Sequence, residues 1–388
     1  MSDYRNHIGI IGGGIAGLTL GCALLKQDIP AIIFEKMPEE TSHGAAISLS
    51  SNALRLLDRL EIYNDLKNQS FVHSAASIQG PQKEISSFQT PEVLTTRRQT
   101  LMSLLYSRYL DLGGKIFHHH DFASFDMAKC EVTFTNENKY TLKHLAACDG
   151  IRSSIRDAFF AAHQDPKYSG YSAWRGIGKS NLQKIHFALG PDSHIVSYPI
   201  NKEGDVSFVA VRKEDYQFKE SWKEEGSILD LLDDFSTYDS KIFPALEDSV
   251  TLYKWGIYIR PPLKSMISKN ITLLGDAAHP MVPFLGQGAC MAIEDSYSLA
   301  MACKEHIVNL ADAQVAYDHV RSKRTKKIQQ LSMMQGKVYH LKNPILVAAR
   351  NAAMRYTNIP GNDLKRIHDY DAHDEMKIYF ALHRKKFS

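Results

Sequence analysis

Residues 10–36 read IIGGGIAGLTLGCALLKQDIPAIIFEK, and that run admits very few folds. His7–Ile11 is an apolar stretch long enough for a buried strand. Gly12, Gly14 and Gly17 follow at once in a G-x-G-x-x-G frame, and Ala16–Lys26 carries helix-forming residues. Gly12 allows a tight turn, Gly14 lets backbone approach a pyrophosphate, and Gly17 lets the helix pack close on the strand. The unpaired N–H groups at the helix start, around Ile15 and Ala16, favour negative charge. Ala31–Phe34 is the next strand and ends at Glu35, followed by Lys36. A carboxylate there can accept both hydroxyls of an adenosine ribose and repels a 2′-phosphate. Strand, helix, strand and acid in register predict a bound dinucleotide without saying which one.

The chain has 388 residues, enough for two or three domains. Its 44% apolar and 23% charged content is ordinary for a globular protein, and a net charge of +3 is too small to argue for nucleic acid. Cys22, Cys130, Cys148, Cys290 and Cys303 are scattered and none is spaced for a metal. They read as reduced core thiols of a cytoplasmic protein. The chain enters a strand within ten residues, unlike a signal peptide, and no run of eighteen apolar residues offers a membrane span.

Further on, Asn52–Leu60 and Leu101–Leu112 have helical spacing, and Lys115–Phe117, Glu131–Thr135 and Tyr140–Leu145 read as strands. His118, His119 and His120, placed on a strand, alternate between faces and cannot share one metal. From Tyr168 to about Pro262 strands dominate: Ile185–Leu189, Ile195–Ile200, Val206–Val211 and Thr251–Ile259, with a helix near Ser227–Phe235. Trp174, Trp222 and Trp255 bracket this antiparallel pattern, which predicts a substrate domain. Ile271–Leu274 returns to a buried strand, and beyond Ala289 the chain reads as helical. The basic run Arg321–Lys327 reads as a solvated helix face.

Two more stretches carry chemistry. ACDGIRSSIR, Ala147–Arg156, puts Asp149 and Gly150 between a strand and a helix. LLGDAAHPMVPFLGQGACMAIEDS, Leu273–Ser296, runs from a strand through Gly275-Asp276 and a proline-bearing loop to Gly286-Gln287-Gly288-Ala289, which opens a helix. An aspartate at a strand end can hold ribityl hydroxyls, and a glycine-rich helix start offers N–H donors to an anionic ring edge.

With these residues the sequence resembles the class A, single-component FAD-dependent aromatic hydroxylases over nearly its whole length. The glycine frame with Glu35 is similar to their ADP-binding motif, CDGIRSSIR to their DG motif, and GDAAHPMVPFLGQGACMAIED to their GD motif. TTRRQTLMSLL resembles the segment carrying their flavin-contacting arginine, here Arg98, with Arg97 as the adjacent alternative. HGAAISLSSNALRLLDRL resembles their flavin-edge loop, which includes Ala46 and Ser48, with Ser51 where the family has proline. YSGYSAWRGI, HIVSYPI, VSFVAVRK and KWGIYIRPPL point to the branch of salicylate hydroxylase, 6-hydroxynicotinate 3-monooxygenase and 3-hydroxybenzoate 6-hydroxylase.

The resemblance implies an α/β fold: a Rossmann-like FAD-binding domain of glutathione reductase type, an inserted antiparallel-sheet substrate domain and a helical C-terminus. The corresponding spans are 1–72, 96–170 and 263–335 for the first, 73–95 and 171–262 for the second, and 336–388 for the last. It implies non-covalent FAD, NADH or NADPH as a transient co-substrate, and O2. The implied reaction hydroxylates a small phenolic or heteroaromatic ring through a C4a-hydroperoxyflavin, which Pro280, Met281, Pro283 and Phe284 are suited to shield from water. HIVSYP is similar to a segment in which the histidine, here His194, is the base for the ring hydroxyl and the tyrosine, here Tyr198, orients the substrate. Arg175 and Arg212 are candidates for a substrate carboxylate. Epoxidation or hydroxylation of a larger non-phenolic substrate and inactivation of an antibiotic are the alternatives, and a monomer or a homodimer is expected.

Overall fold

A computed structural model describes residues 2–39, 46–80, 84–160, 165–215, 225–244, 252–357 and 359–383; Trp222 lies outside them. The chain begins with β1 (Ser2–Ile11), α1 (Ile15–Leu25), β2 (Ala31–Phe34), β3 (Ala46–Ser50), α2 (Ser51–Arg59), α3 (Tyr63–Asn68), β4 (Phe71–Gln79) and β5 (Glu84–Arg97). It continues with α4 (Arg98–Asp111), β6 (Lys115–Phe117), β7 (Phe122–Asp126), β8 (Glu131–Phe134), β9 (Lys139–Ala147) and α5 (Ser154–Phe159). Next come β10 (Lys167–Lys179), β11 (Ile185–Gly190), β12 (Ser193–Pro199), β13 (Asp205–Lys213), β14 (Glu225–Gly226), α6 (Ile228–Asp234) and β15 (Leu252–Ile259). The last part holds β16 (Ile267–Ser268), β17 (Ile271–Leu273), α7 (Gly288–Glu305), α8 (Leu310–Tyr339), α9 (Pro344–Tyr356), α10 (Ile359–His368) and α11 (Ala372–His383).

The first sheet runs β16-β17-β9-β1-β2-β6, and from β17 to β6 its strands are parallel. All four residues of β2 are buried, as a parallel strand covered on both faces requires. Helix α1 is apolar nearly all round because it is enclosed nearly all round. Tyr109 of α4 lies so close that a Cβ on Gly21 would meet its ring at 2.5 Å. Strand order has a direct consequence for the site. The turns after β17, β9, β1 and β2 sit side by side along one edge, at the carboxyl ends of the strands, where doubly wound sheets bind ligands.

The second sheet runs β14-β15-β10-β13-β12-β11-β4-β5-β3 and is antiparallel except where β11 meets β4. One face is closed by α6, with Trp174, Ile195, Phe208 and Ala210 packed on Leu231 and Phe235. The other face presents Ala173, Val211, Trp255 and Ile257 to Val282 and Phe284, which belong to the loop before α7. β3, within the span expected to belong to the first domain, hydrogen-bonds in this second sheet. The boundary expected at 335/336 falls inside α8, which continues to Tyr339.

Two local expectations are corrected. His118–His120 follow β6 rather than forming part of a strand: His119 has φ 57°, and His120 is buried with its ring near Tyr140. A left-handed residue ends the alternation on which the face argument relied. Arg321–Lys327 is only partly a solvated face, because Arg321 and Thr325 are buried while Lys323, Lys326 and Lys327 are exposed. Arg321 donates to Asp295 at 2.8 Å and to Glu294 at 2.5 Å, with all three side chains at 0% exposure.

Glu294 also accepts from Asn52 at 2.6 Å and Arg324 at 3.2 Å, and Asp295 accepts from the Gly275 N–H at 3.0 Å. Burial works against the Asp295 charge, yet His279 and Arg321 hold its carboxyl below the usual carboxylate range. Removing one partner strands a buried charge. Arg321→Met is therefore expected to lower unfolding stability by about 3–5 kcal/mol. Denaturant titration followed by circular dichroism measures it, and a loss below about 1 kcal/mol is the median range of an exposed ion pair.

Candidate active site

Three glycines of the first turn have three different surroundings. Gly12 has φ +105°, and a Cβ there would meet the Cys148 carbonyl oxygen at 2.4 Å. A Cβ on Gly17 would meet the Gly12 carbonyl oxygen at 1.9 Å, so Gly17 lets α1 close on the turn. A Cβ on Gly14 meets nothing within 4 Å: that side of the turn is open cleft. Helix α1 starts beyond Gly14 with no capping side chain and no acid in its first turn, leaving its N–H groups to the cleft. The Glu35 carboxylate is fixed by the Gly13 N–H at 2.6 Å and the Met37 N–H at 2.8 Å, while Lys36 is exposed.

The next two turns close the same edge. Asp149 follows β9, and its Oδ1 is buried without a hydrogen-bond partner among the described residues. Burial pushes its carboxyl up to about 6, against hydrogen bonds to Ser153 and Ile155. Gly150 beside it has φ +80° and open space where a Cβ would be. Arg156, which the sequence reading did not single out, is fully buried and ties the two turns together. It donates to the Ala277 and Ala278 carbonyls at 3.3 and 2.8 Å and to Pro261 at 2.8 Å. Gly275, at φ +58°, approaches Ala16 and Ala292, and Asp276 next to it is exposed.

Arg98 and Arg97 go to different places. Arg97 pairs with Asp205 at 2.9 Å at the surface, whereas Arg98 turns inward, where burial lowers its guanidinium and Asp276 opposes that shift. Gly286 takes φ +63°, with Ser48 Oγ 2.7 Å from where its Cβ would be. The Gln287 side chain points away from the cleft, donating to Ser50 at 2.9 Å and accepting from Asn52 at 3.1 Å. Helix α7 then starts at Gly288, uncapped by any side chain; a Cβ on Gly288 meets nothing within 4 Å, and Ala289 is half-buried. Pro283 is exposed and Phe284 buried.

The second sheet brings its own groups to this edge. Register places His194, Val196 and Tyr198 of β12 opposite Val211, Val209 and Ser207 of β13, and those opposite Ala173, Arg175 and Ile177 of β10. Tyr198 packs with Ala46, Ala76 and Val93, which joins it to the flavin-edge strand expected from sequence. Burial raises the Tyr198 hydroxyl, while Arg175 pulls it down. Arg175 lies 4.8 Å over the Trp255 ring; burial lowers its guanidinium, Tyr198 opposes this and Arg98 adds to it. Arg212 is on the other face, paired with Asp234 at 2.7 Å, and is no candidate for this cleft. His194 is 2% exposed, with its Nδ1 2.6 Å from His340 Nε2 and its ring 5.1 Å from Phe284 and 5.4 Å from Tyr339. Burial first and His340 second hold it well below the usual histidine range, so it is neutral.

Two other features lie apart. A hollow of about 310 Å³ lined by Tyr4, His7, Leu25, Asp28, Ile32 and Lys115 opens at the amino-terminal edge of the first sheet, opposite the glycine turns. Asp371, His373 and Asp374 cluster at the surface, but Arg55 and His373 itself engage these acids, so the group is explained without a metal.

Fold and cleft together define a dinucleotide-binding α/β protein with a second, antiparallel sheet closing over its binding edge. The family model described as FAD binding domain matches residues 5–332, and the chain belongs to that family. It is 28% identical to 3-amino-4-hydroxybenzoate 2-monooxygenase of Streptomyces platensis, over 88% of this chain and 90% of that one. Salicylate hydroxylase of Pseudomonas putida is 27% identical over 92% and 93% of the two chains. For 3-hydroxybenzoate 6-hydroxylase of Klebsiella oxytoca the identity is 26%, over 85% and 88%. In fold it matches Klebsiella pneumoniae HpxO, solved with FAD and uric acid, at TM-score 0.82 and 20% identity over 94% and 96%. A salicylate hydroxylase substrate complex matches at TM-score 0.80 and 21% identity over 97% and 98%.

The residues present fit FAD. Open space at Gly14, Gly150 and Gly288, the orphaned Asp149 oxygen and two uncapped helix starts all face one edge. Gly14→Ala and Gly288→Val are expected to fold but to lose FAD, because their side chains enter that space; Gly17→Ala is expected not to fold. Flavin absorbance per protein, beside circular dichroism, separates the two outcomes.

Asp149 makes the cleft pH-dependent. Its folded carboxyl holds a proton more tightly than the unfolded one, so its contribution to stability is full below pH 3.8 and is lost as pH rises through about 6. At pH 7.5 this penalty on the FAD-free protein is on the order of 3 kcal/mol. Asp149→Asn should therefore make the FAD-free protein more stable at pH 7.5, leave it little changed near pH 4, and weaken FAD binding about tenfold or more, as loss of a charge-assisted hydrogen bond does. Thermal melts at the two pH values with an FAD titration test all three parts.

Proposed function

We propose that this chain is a cytoplasmic FAD-dependent monooxygenase that uses NADH or NADPH and O2 to hydroxylate a small phenolic or heteroaromatic ring bearing an anionic group. One observation carries the reading. Arg175 of β10 stands on the sheet face that carries His194 and Tyr198, 4.8 Å over the Trp255 ring, and Arg98 at the start of α4 adds to the burial that lowers its guanidinium. Like charges brought together in a buried place favour an anion between them. The three relatives above are named for hydroxybenzoate or aminohydroxybenzoate substrates, which supports an aromatic acid. Five unpaired cysteines, four of them buried, fit a reducing compartment.

Each group has a role in this reading. Gly14, Ile15, Ala16 and Gly17 take the pyrophosphate of FAD, Glu35 the ribose, and Asp149 with Gly150 the ribityl chain. Arg98, Ala46, Gly275 and Asp276 line the remaining edge, and the N–H groups at Gly286–Ala289 face the ring. When bound and reduced, FAD with O2 supplies an electrophilic oxygen. Val282 and Phe284, packed on Val211 and Trp255, keep water from it. Arg175 holds the substrate anion, Tyr198 orients the ring, and His194 removes the ring hydroxyl proton, which raises the electron density the oxygen attacks.

Nicotinamide oxidation should be stimulated by salicylate, 3-hydroxybenzoate, 3-amino-4-hydroxybenzoate, a hydroxynicotinate or urate, with product formed in step. In His194→Ala the hydroxylation step should slow about 10²–10⁴-fold, so that H2O2 replaces product. Product per nicotinamide consumed is the measurement. If coupling is unchanged with a substrate that the parent hydroxylates, His194 is structural and the base lies elsewhere.

A further inference from the structure

We propose that His340 is the second member of a proton relay, taking the substrate's hydroxyl proton from His194 and releasing it to solvent at the C-terminal end of α8. The inference rests on the reading of His194 as the base, and deepens it.

The geometry begins with the 2.6 Å separation of His194 Nδ1 and His340 Nε2. One ring must donate and the other accept, so the two tautomers are coupled. Both outer nitrogens lack a hydrogen-bond partner among the described residues: His194 Nε2 makes none, and His340 Nδ1 is buried without one. The dyad thus runs from the sheet face that carries Tyr198 to the end of a helix, with an unpaired nitrogen at each end.

His340 is buried, but the groups beside it reach the surface. His340 caps the C-terminus of α8, where the helix end favours positive charge. Its carbonyl accepts from the Asp192 N–H at 3.4 Å, and the Asp192 carboxylate pairs with Lys342 outside. The groups around the dyad are few. Tyr171 of β10 and Tyr339 of α8 flank it and are kept neutral by burial, and Phe284 covers one side. Asp192 raises His340, while Arg350 of α9 and Lys213 of β13 lower it.

Energetics favour transit over storage. Burial is the main cause that brings His340 down to about 4, and it holds His194 well below its usual range. A base this weak cannot keep a phenol's proton at neutral pH, but it can pass one along. The substrate O–H bond breaks as His194 Nε2–H forms. His194 Nδ1–H breaks as His340 Nε2–H forms, and His340 Nδ1–H goes to water. No electrons change hands: the substrate becomes a phenolate and one proton reaches solvent. Both rings end as the opposite neutral tautomers, and reprotonation of the product phenolate by the reverse path resets them.

The test uses the FAD-loaded enzyme with NADH and the hydroxybenzoates named above, measuring product per NADH from pH 6 to 9. His340→Gln keeps a hydrogen-bond partner for His194 but cannot relay, and His340→Ala opens a cavity that imidazole can enter. Expected are a fall of about tenfold or more in coupling for both variants, as loss of acid–base help produces, and recovery of His340→Ala with added imidazole. Coupling in His340→Gln equal to the parent, or a loss in His340→Ala that imidazole does not restore, makes His340 a packing residue and overturns the relay. A drop in His194→Gln alone overturns the relay while leaving the base in place. Parent-like coupling in both His194→Gln and His340→Gln removes the base as well, and no stimulation of NADH oxidation by any probe removes the reading of function with it.

Discussion

Arg321 sits at zero exposure between Glu294 and Asp295, and the shape of the cleft depends on that pairing. Asp295 holds the Gly275 N–H and His279, so it fixes the turn after β17. Glu294 holds Asn52, whose neighbour Ser50 accepts from Gln287 at the start of α7. Two arginines, Arg321 and Arg324, face two carboxylates, so the buried charges balance. Buried ion pairs contribute little net stability over apolar packing. Their use here is geometric: four elements far apart in sequence are held in one arrangement by directional hydrogen bonds.

The first sheet contributes the second constraint. Because β17, β9, β1 and β2 are neighbours, the turns that follow them meet at one edge. Arg156 then locks the turn after β9 to the turn after β17. The cleft is thus assembled mostly from backbone, with glycine where the backbone must be bare, and side chains serve chiefly to hold that backbone in place.

The second sheet adds polarity to an otherwise apolar wall. Its inner face is Ala173, Val211, Trp255 and Ile257 against Phe284, with Arg175, His194 and Tyr198 set into it. His194 and Tyr198 lie on one face, as residues four apart on a strand must, but they sit in different packing environments. His340, 146 positions from His194, connects the β12 end of that face to α8.

Much of this was legible in the sequence because it is local. The glycine frame, the strand before it and the acid after it interact within 36 residues, so spacing alone declares them. The strands β11, β12 and β13 are visible through alternation because each has two faces against different partners. Arg321 was misread because a run of basic residues looks solvated, and nothing in RSKRTKK says that carboxylates at 294 and 295 wait on the neighbouring helix. Spacing alone separates neither Arg98 from Arg97 nor Arg175 from Arg212; the family resemblance favoured Arg98, and packing decides which side chain is inside. His340 left no local signal at all. Sequence determined the elements and the dinucleotide turn, through short-range sterics and periodicity. Tertiary structure decided which charges are buried and which histidines touch, because those depend on contacts between segments that no spacing encodes.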